Sequence, residues 1–211
     1  MNTASSYIYS VLEWITRFAY LNFLWIMFSL LGGILFGFYP ATTSMFAICR
    51  EWLKGNTDLP LFKSFWGFYK NDFLKSNLLG IFITALLLLI ALDIFYIQTS
   101  PNAQLDWTYV PLFAFILIVA FFLFYLFPAF VHYDIKVPLV IKNAFLLMLI
   151  NPPATAVIVL CLVPLFFIMR LFPALAFLFG GSLYAFLTMW MAMYAFGRTH
   201  KKASHQRGSL P

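Results

Sequence analysis

Long apolar runs, almost free of charge, dominate the chain and alternate with short polar segments. Runs of the length that crosses a bilayer, about 20 residues, lie at 18–39, 78–98, 109–131, 144–169 and 173–196. We therefore expect an all-α membrane protein, a five-transmembrane-helix bundle that forms one domain over 1–198. A short basic segment at 199–211 follows this domain as a tail.

The polar connection at 40–77 contains two further helical patterns. After Pro40 no helix breaker occurs before Gly55, so we expect a helix to restart there. The next segment repeats aromatic residues at i, i+3, i+4, i+7 and i+11, which places them on one helical face. The aromatic residues are Phe62, Phe65, Trp66, Tyr69 and Phe73, and the lysines off this face are Lys63, Lys70 and Lys75. The pattern predicts an amphipathic helix, either interfacial on anionic lipid, packed on the bundle, or docked to a soluble partner.

Composition strengthens the membrane assignment and excludes several classes of protein. The 211 residues are 64% hydrophobic and only 9% charged, whereas about a quarter of an average globular chain is charged. So few charges cannot cover a water-soluble surface. Soluble enzymes, nucleic-acid binders and secreted disulfide scaffolds are excluded together, and the lipid bilayer is the first expected partner.

The distribution of basic residues predicts an orientation. Five bases lie in 40–77, two in 132–143 and four beyond 197, so eleven of the thirteen fall on one side of five spans. Arg17 and Arg170 fall on the other side. Basic loops stay in the cytoplasm, which predicts an outside N-terminus, a cytoplasmic loop at 40–77 and a cytoplasmic C-terminus.

Known catalytic and metal-binding motifs are missing from the sequence. It contains no HExxH, GxSxG, GxGxxG or phosphate-binding-loop pattern. Cys49 and Cys161 have no metal-type or redox spacing. We therefore expect a non-enzymatic protein without a cofactor or a metal site.

Three segments of the chain resemble a known family. The runs FYPATTSMFAICREWLKG, LFKSFWGFYKNDFLKSN and FPAFVHYDIKVPLVIKNAFLLMLINPPAT are similar, in order and spacing, to the YesL-like family of bacterial integral membrane proteins. The resemblance extends from about Asn22 to Arg198. Tyr39 stands where the family often has glycine, and Asp72 interrupts an expected Asn-Phe pair.

The resemblance implies a multi-pass protein of the bacterial cytoplasmic (inner) membrane. The family has no established biochemical activity, but its members often occur beside carbohydrate ABC importers and glycan-degrading enzymes. The resemblance therefore implies an accessory role in carbohydrate uptake or its regulation, with a sugar ABC permease or another membrane protein as the partner.

Polar residues inside the predicted spans suggest a small transporter or channel as the alternative function. Asp93 lies within the second span, where a charge costs about 3 kcal/mol or more. It can reach the headgroups, pair with Arg170 or Arg17, or carry a cation or proton. Asn151, Pro152 and Pro153 interrupt the fourth span. Such a break can expose backbone carbonyls to a substrate, unless a neighbouring helix satisfies them.

Two further groups of residues have both a structural and a functional interpretation. His132, Tyr133 and Asp134 form a titratable cluster after the third span, either a proton relay or a hydrated helix end. Small residues allow helices to approach closely. Gly33 with Gly37, and Gly180 with Gly181, therefore predict contacts within the bundle or between copies of a homo-oligomer.

Overall fold

The computed structural model describes residues 3–99 and 109–208, with side chains over 8–99 and 109–198. This part of the chain forms eight helices and no strand. The helices are α1 (Thr3–Leu31), α2 (Phe38–Leu53), α3 (Leu61–Asn71), α4 (Phe73–Thr99), α5 (Tyr109–His132), α6 (Val137–Ile150), α7 (Pro152–Leu171) and α8 (Pro173–Gly208). Five of them, all except α2, α3 and α6, are long and apolar enough to cross a membrane. The all-α membrane class is confirmed.

The first apolar run is divided by a tight turn, which corrects the predicted span at 18–39. The crossing segment of α1 is Ile8–Leu31, and the chain then turns before α2 begins at Phe38. Gly33 has φ 69°, a left-handed conformation that interrupts the helix. Gly37 lies so close to Gly32 and to the carbonyl of Ser29 that it has no room for a side chain. The Gly33–Gly37 spacing therefore belongs to a turn and not to a helix face.

Helix α2 is the central helix of the bundle, which corrects the predicted loop at 40–77. It runs antiparallel to α1, since Trp25 contacts Thr42 near one end and Trp14 packs on Trp52 near the other. Every residue from Pro40 to Cys49 is buried, and α2 contacts α1, α3, α4, α5 and α8. A helix of 16 residues is about 24 Å long, too short to be recognised as a span by length.

Hydroxyl groups and one small residue fix α2 to its neighbours. The indole Nε1 of Trp25 donates to Thr42 Oγ1 over 3.0 Å, and the hydroxyls of Thr43 and Ser76 are 2.8 Å apart. The ring of Tyr39 lies directly on Gly80 of α4. Polar groups inside a membrane protein need internal partners because lipid supplies none. These contacts therefore connect α2 to α1 and α4.

Helix α8 packs antiparallel to α1 through a buried asparagine. Asn22 Nδ2 donates to the carbonyl of Phe177 over 2.7 Å, and its Oδ1 accepts the N–H of Ser182 over 3.1 Å. Gly181 lies beneath this side chain, where a Cβ would approach Asn22 Oδ1 to 2.9 Å. Gly180 faces Met169 of α7. Both glycines therefore lie at contacts within the chain.

The fourth predicted span, at 144–169, is two helices. Helix α6 ends at Ile150 and α7 begins at Pro152, with Asn151 between them. Pro152 and Pro153 occupy the first positions of α7, where the missing N–H costs no hydrogen bond. The prolines therefore start a new helix rather than kink a continuous one.

The helix directions bring the two ends of the chain to the same end of the bundle. Helices α1 and α8 are antiparallel, as the contacts of Asn22 and the Phe18–Phe186 ring contact demonstrate. The start of α1 therefore lies beside the last part of α8, which continues to Gly208. The return of the chain through α2, which is shorter than the five candidate spans, accounts for this placement.

Candidate functional site

A polar cleft of about 420 Å³ lies at the end of the bundle that holds the start of α1 and the last part of α8. Its walls come from the second half of α2, the junction of α3 and α4, and the segment that joins α5 to α6. The charged and titratable residues that line it are Arg50, Asp72, Lys75, His132, Tyr133 and Asp134. We name this feature the polar cleft.

Arg50 connects two walls of the polar cleft. Its Nη1 donates to the carbonyl of Val131 in the last turn of α5, and its Nη2 lies 3.2 Å from Glu51 Oε1. Carbonyls at a helix C-terminus have no helical partner, and a cation there also interacts favourably with the helix dipole. The Nε atom of Arg50 is buried and has no hydrogen-bond partner among the described residues. Arg50 therefore holds α2 against the end of α5.

The α3–α4 junction supplies one acidic residue, Asp72, and one basic residue, Lys75, to the polar cleft. Burial raises the pKa of the Asp72 carboxyl above its ordinary value, and the nearby negative charge of Asp134 adds to this, while Lys75 and Arg50 oppose it. Lys75 Nζ lies 3.1 Å from Asp134 Oδ1, and the Asp134 side chain is 95% exposed. Exposed ion pairs contribute about 1 kcal/mol or less, so this pair opens at little cost.

The predicted titratable cluster lines the polar cleft, where His132 and Tyr133 pack together and Asp134 has a different partner. The ring of His132 packs 4.4 Å from that of Phe196 and 4.9 Å from that of Tyr133. Burial raises the pKa of Tyr133. Asp134 pairs with Lys75 instead. In the described part of the chain, no group of three or more His, Cys, Asp and Glu side chains is arranged to hold a metal ion.

The titratable cluster predicted from the sequence did not include Arg50, Asp72 or Lys75. The polar cleft joins positions near 50, 72 and 134, which are far apart in the sequence and share no motif. Asp72 carried one weak signal, since it interrupts a pattern of the resembling family. Only the packing of α2 between α4 and α5 brings these side chains together.

The amphipathic helix is α3, and its aromatic stripe divides into a buried and an exposed edge. Phe65 and Tyr69 are buried, and their rings lie 5.1 Å from that of Phe28 in α1. Phe62 and Trp66 remain 52% and 48% exposed. The other members follow the same division: Phe73 packs on the core, Lys63 and Lys70 are exposed, and Lys75 belongs to the polar cleft.

Asp93 lies at the end of α4 opposite the polar cleft. It borders a groove between α4 and α5, together with Tyr96, and makes no hydrogen bond or ion pair with the described residues. Pairing with Arg17 was one of the alternatives for Asp93, but Arg17 lies at the other end and bonds Glu13 and Asp58. Asp93 is 18 residues from Lys75, about 27 Å along a helix. This distance places it near the far boundary of a hydrocarbon layer about 30 Å thick.

The helix break at Asn151 is closed by hydrogen bonds. The hydroxyl of Tyr125 donates to the Asn151 carbonyl over 3.3 Å and lies 2.9 Å from Thr155 Oγ1. Asn151 Nδ2 donates to the carbonyl of Leu147 over 3.2 Å. A cavity of about 730 Å³ beside the break is lined mainly by apolar side chains. The freed backbone groups therefore bind partners within the bundle.

Comparison with known proteins connects the fold to a family. Residues 18–94 match the family described as "Protein of unknown function, DUF624". The chain is 33% identical to the uncharacterized protein YesV of Bacillus subtilis (strain 168), over 98% of this chain and 99% of the relative. The chain belongs to this family. It is also 38% identical to YesL, over 93% of this chain and 92% of the relative, and 37% identical to YteU, over 84% and 79%.

The matched region coincides with the centre of the fold. Residues 18–94 contain the second half of α1, all of α2 and α3, and most of α4. They supply Arg50, Asp72 and Lys75 to the polar cleft. No solved structure matches the chain.

Proposed function

We propose that the protein is a non-enzymatic accessory subunit in carbohydrate uptake or its regulation, bound to the membrane subunit of a sugar ABC importer. The observation that carries this proposal is the exposed edge of α3, which we name the α3 edge: Phe62, Trp66, Lys63 and Lys70. Aromatic side chains that stay half exposed beside bases are typical of contact surfaces. Phe68 of the same helix lines the polar cleft.

The contacts at membrane depth support an accessory role over transport. Contacts between helices of the bundle use the polar side chains of Asn22, Thr43, Tyr125 and Thr155. These side chains therefore act as connections between helices. The alternative, a small transporter or channel, rests on Asp93 and the groove that it borders. Saturable sugar or ion flux through proteoliposomes that contain only this protein would overturn the accessory role.

Removal of the α3 edge is expected to abolish contact with the importer. We expect the Phe62→Ala, Trp66→Ala double variant to lose at least 80% of its crosslinking to the permease subunit in native membranes, because hot-spot contacts depend on a few aromatic anchors. Phe95→Ala is the matched control, since Phe95 is 65% exposed at the opposite end of α4. Equal crosslinking by the double variant and the wild type would contradict the proposal.

We also propose that the end with the polar cleft faces the cytoplasm, so that both termini are cytoplasmic. In this proposal α2 counts as a sixth pass, which places Arg17 at this end, where its Nη1 donates to the carbonyl of Thr57. Twelve of the thirteen bases then lie near one end, and Arg170 is the exception. Cytoplasmic segments are enriched in such bases.

Fusions to each terminus test this orientation. We expect green fluorescent protein to fluoresce at either terminus and alkaline phosphatase to be inactive at both, because the phosphatase folds only outside the cytoplasm. A phosphatase inserted between positions 102 and 105 should be active, because α4 ends at Thr99 and α5 begins at Tyr109, both at the opposite end of the bundle. Phosphatase activity at the N-terminus would instead support five passes.

A further inference from the structure

The polar cleft combines opposite charges at the depth of lipid headgroups. Lys75 lies in the first turn of α4, which has 27 residues and is therefore about 40 Å long. The hydrocarbon layer is only about 30 Å thick, so the first turn of α4 reaches the headgroup region. Arg50 and Lys75 contribute positive charge there, and Asp72 and Asp134 contribute negative charge. A site with two charges of each sign is matched by a zwitterion.

We propose that the polar cleft binds a phosphate group linked to a primary ammonium group, as in phosphatidylethanolamine or soluble phosphoethanolamine. The phosphate lies against Arg50 and Lys75, and the ammonium lies against Asp134 and Asp72. A volume of about 420 Å³ is within the usual range of ligand pockets, roughly 300–1,000 Å³.

Both bases keep donors for a phosphate. Arg50 is fixed by the carbonyl of Val131 and by Glu51, which leaves further guanidinium N–H groups. Lys75 uses one of its three donors on Asp134. Guanidinium and ammonium groups form strong, charge-assisted bonds with phosphate oxygens. Arg50 is therefore an anchored phosphate ligand, and Lys75 is a movable one.

The carboxylates of Asp134 and Asp72 favour a ligand that carries a primary ammonium group. Asp134 has one oxygen bound to Lys75, and its second oxygen can accept from a ligand N–H. Asp72 is near enough to Lys75, Asp134 and Arg50 to interact electrostatically with all three, so it belongs to the same site. A primary ammonium donates hydrogen bonds to these carboxylates. A trimethylated ammonium cannot donate, and a glycerol headgroup carries no positive charge, so both should bind more weakly.

Titration with short-chain lipids tests the site. The detergent-solubilised full chain is titrated with dihexanoyl phosphatidylethanolamine, phosphatidylcholine and phosphatidylglycerol, and intrinsic tryptophan fluorescence reports binding. We expect phosphatidylethanolamine to bind at least tenfold more tightly than the other two. Binding of soluble phosphoethanolamine with equal affinity would support the site and assign it to a soluble ligand, whereas its failure to bind would assign it to the lipid.

Two single substitutions and one control locate the binding. Lys75→Gln and Asp134→Asn are each expected to weaken phosphatidylethanolamine binding at least tenfold, and both side chains are exposed enough for the variants to fold. Lys63→Gln removes a lysine from the α3 edge and should leave the affinity unchanged. Equal affinity for the three lipids, or an equal loss in Lys63→Gln and Lys75→Gln, would overturn the proposal.

Discussion

Gly37→Ala is expected to lower the free energy of unfolding by about 3 kcal/mol or more, because the added methyl group would overlap backbone atoms. A Cβ at Gly37 would meet the carbonyls of Ser29 and Phe28 and the Cα of Gly32. Backbone atoms cannot rotate away as a side chain can, so α1 and α2 would have to separate. Gly37 has φ −88° and ψ −32°, which alanine adopts without strain. The loss is therefore purely steric.

The measurement is equilibrium unfolding in mixed micelles with an increasing fraction of dodecyl sulfate, followed by the fluorescence of the six tryptophans. Gly67→Ala is the matched control, since no atom lies within 4 Å of a Cβ at this position of α3. It should be neutral or should stabilise by up to about 1 kcal/mol, because alanine favours helix over glycine. If Gly37→Ala unfolded at the same fraction of dodecyl sulfate as the wild type, the close backbone contact at the turn between α1 and α2 would be refuted.

Phe65→Ala is expected to destabilise the protein by about 3–5 kcal/mol, the usual cost of removing a buried aromatic ring. Phe65 is fully buried, and its ring packs 5.1 Å from that of Phe28. Its loss would leave a cavity between α3 and α1. Helix α3 has few other buried anchors, since only Phe65 and Tyr69 are buried in it. We therefore expect α3 to detach before the rest of the bundle unfolds.

The neighbouring aromatic residue supplies the control for this prediction. Phe62→Ala changes the same residue type on the same helix, but the side chain is 52% exposed and should cost about 1 kcal/mol or less. The same unfolding assay compares the two variants, and proteolysis between α2 and α3 reports detachment. A similar loss of stability in both variants would contradict the division of the aromatic stripe of α3 into a buried and an exposed edge. Phe65→Ala is accordingly unsuitable as a probe of partner contact.

The long helices were predictable, but two of the breaks between helices were not. Helices α4, α5 and α8 contain the predicted spans at 78–98, 109–131 and 173–196. Two predicted spans had the wrong bounds, because the chain breaks at a glycine and at an asparagine whose conformations depend on neighbours. Gly33 takes a left-handed φ, and Asn151 bonds α6 to α5 through Tyr125. An apolar run continues across both positions, so hydrophobicity alone does not locate the breaks.

Only part of the polar cleft could be predicted from the sequence. His132, Tyr133 and Asp134 were found because they are adjacent in the sequence. Arg50 was counted only as one base among the many that set the orientation. Its role depends on the carbonyl of Val131, 81 residues away. No periodicity or composition encodes a contact at that separation.

The sequence by itself determined the membrane class, the long helices and the aromatic face of α3, because these follow from local hydrophobicity and helical period. The tertiary structure alone decided that α2 is buried at the centre and returns the chain. In lipid, an apolar face can be covered equally well by acyl chains or by other helices. Hydrophobicity therefore does not reveal which helix is surrounded by protein. That depends on close contacts such as Gly80 with Tyr39 and Thr43 with Ser76, which form only when the helices pack.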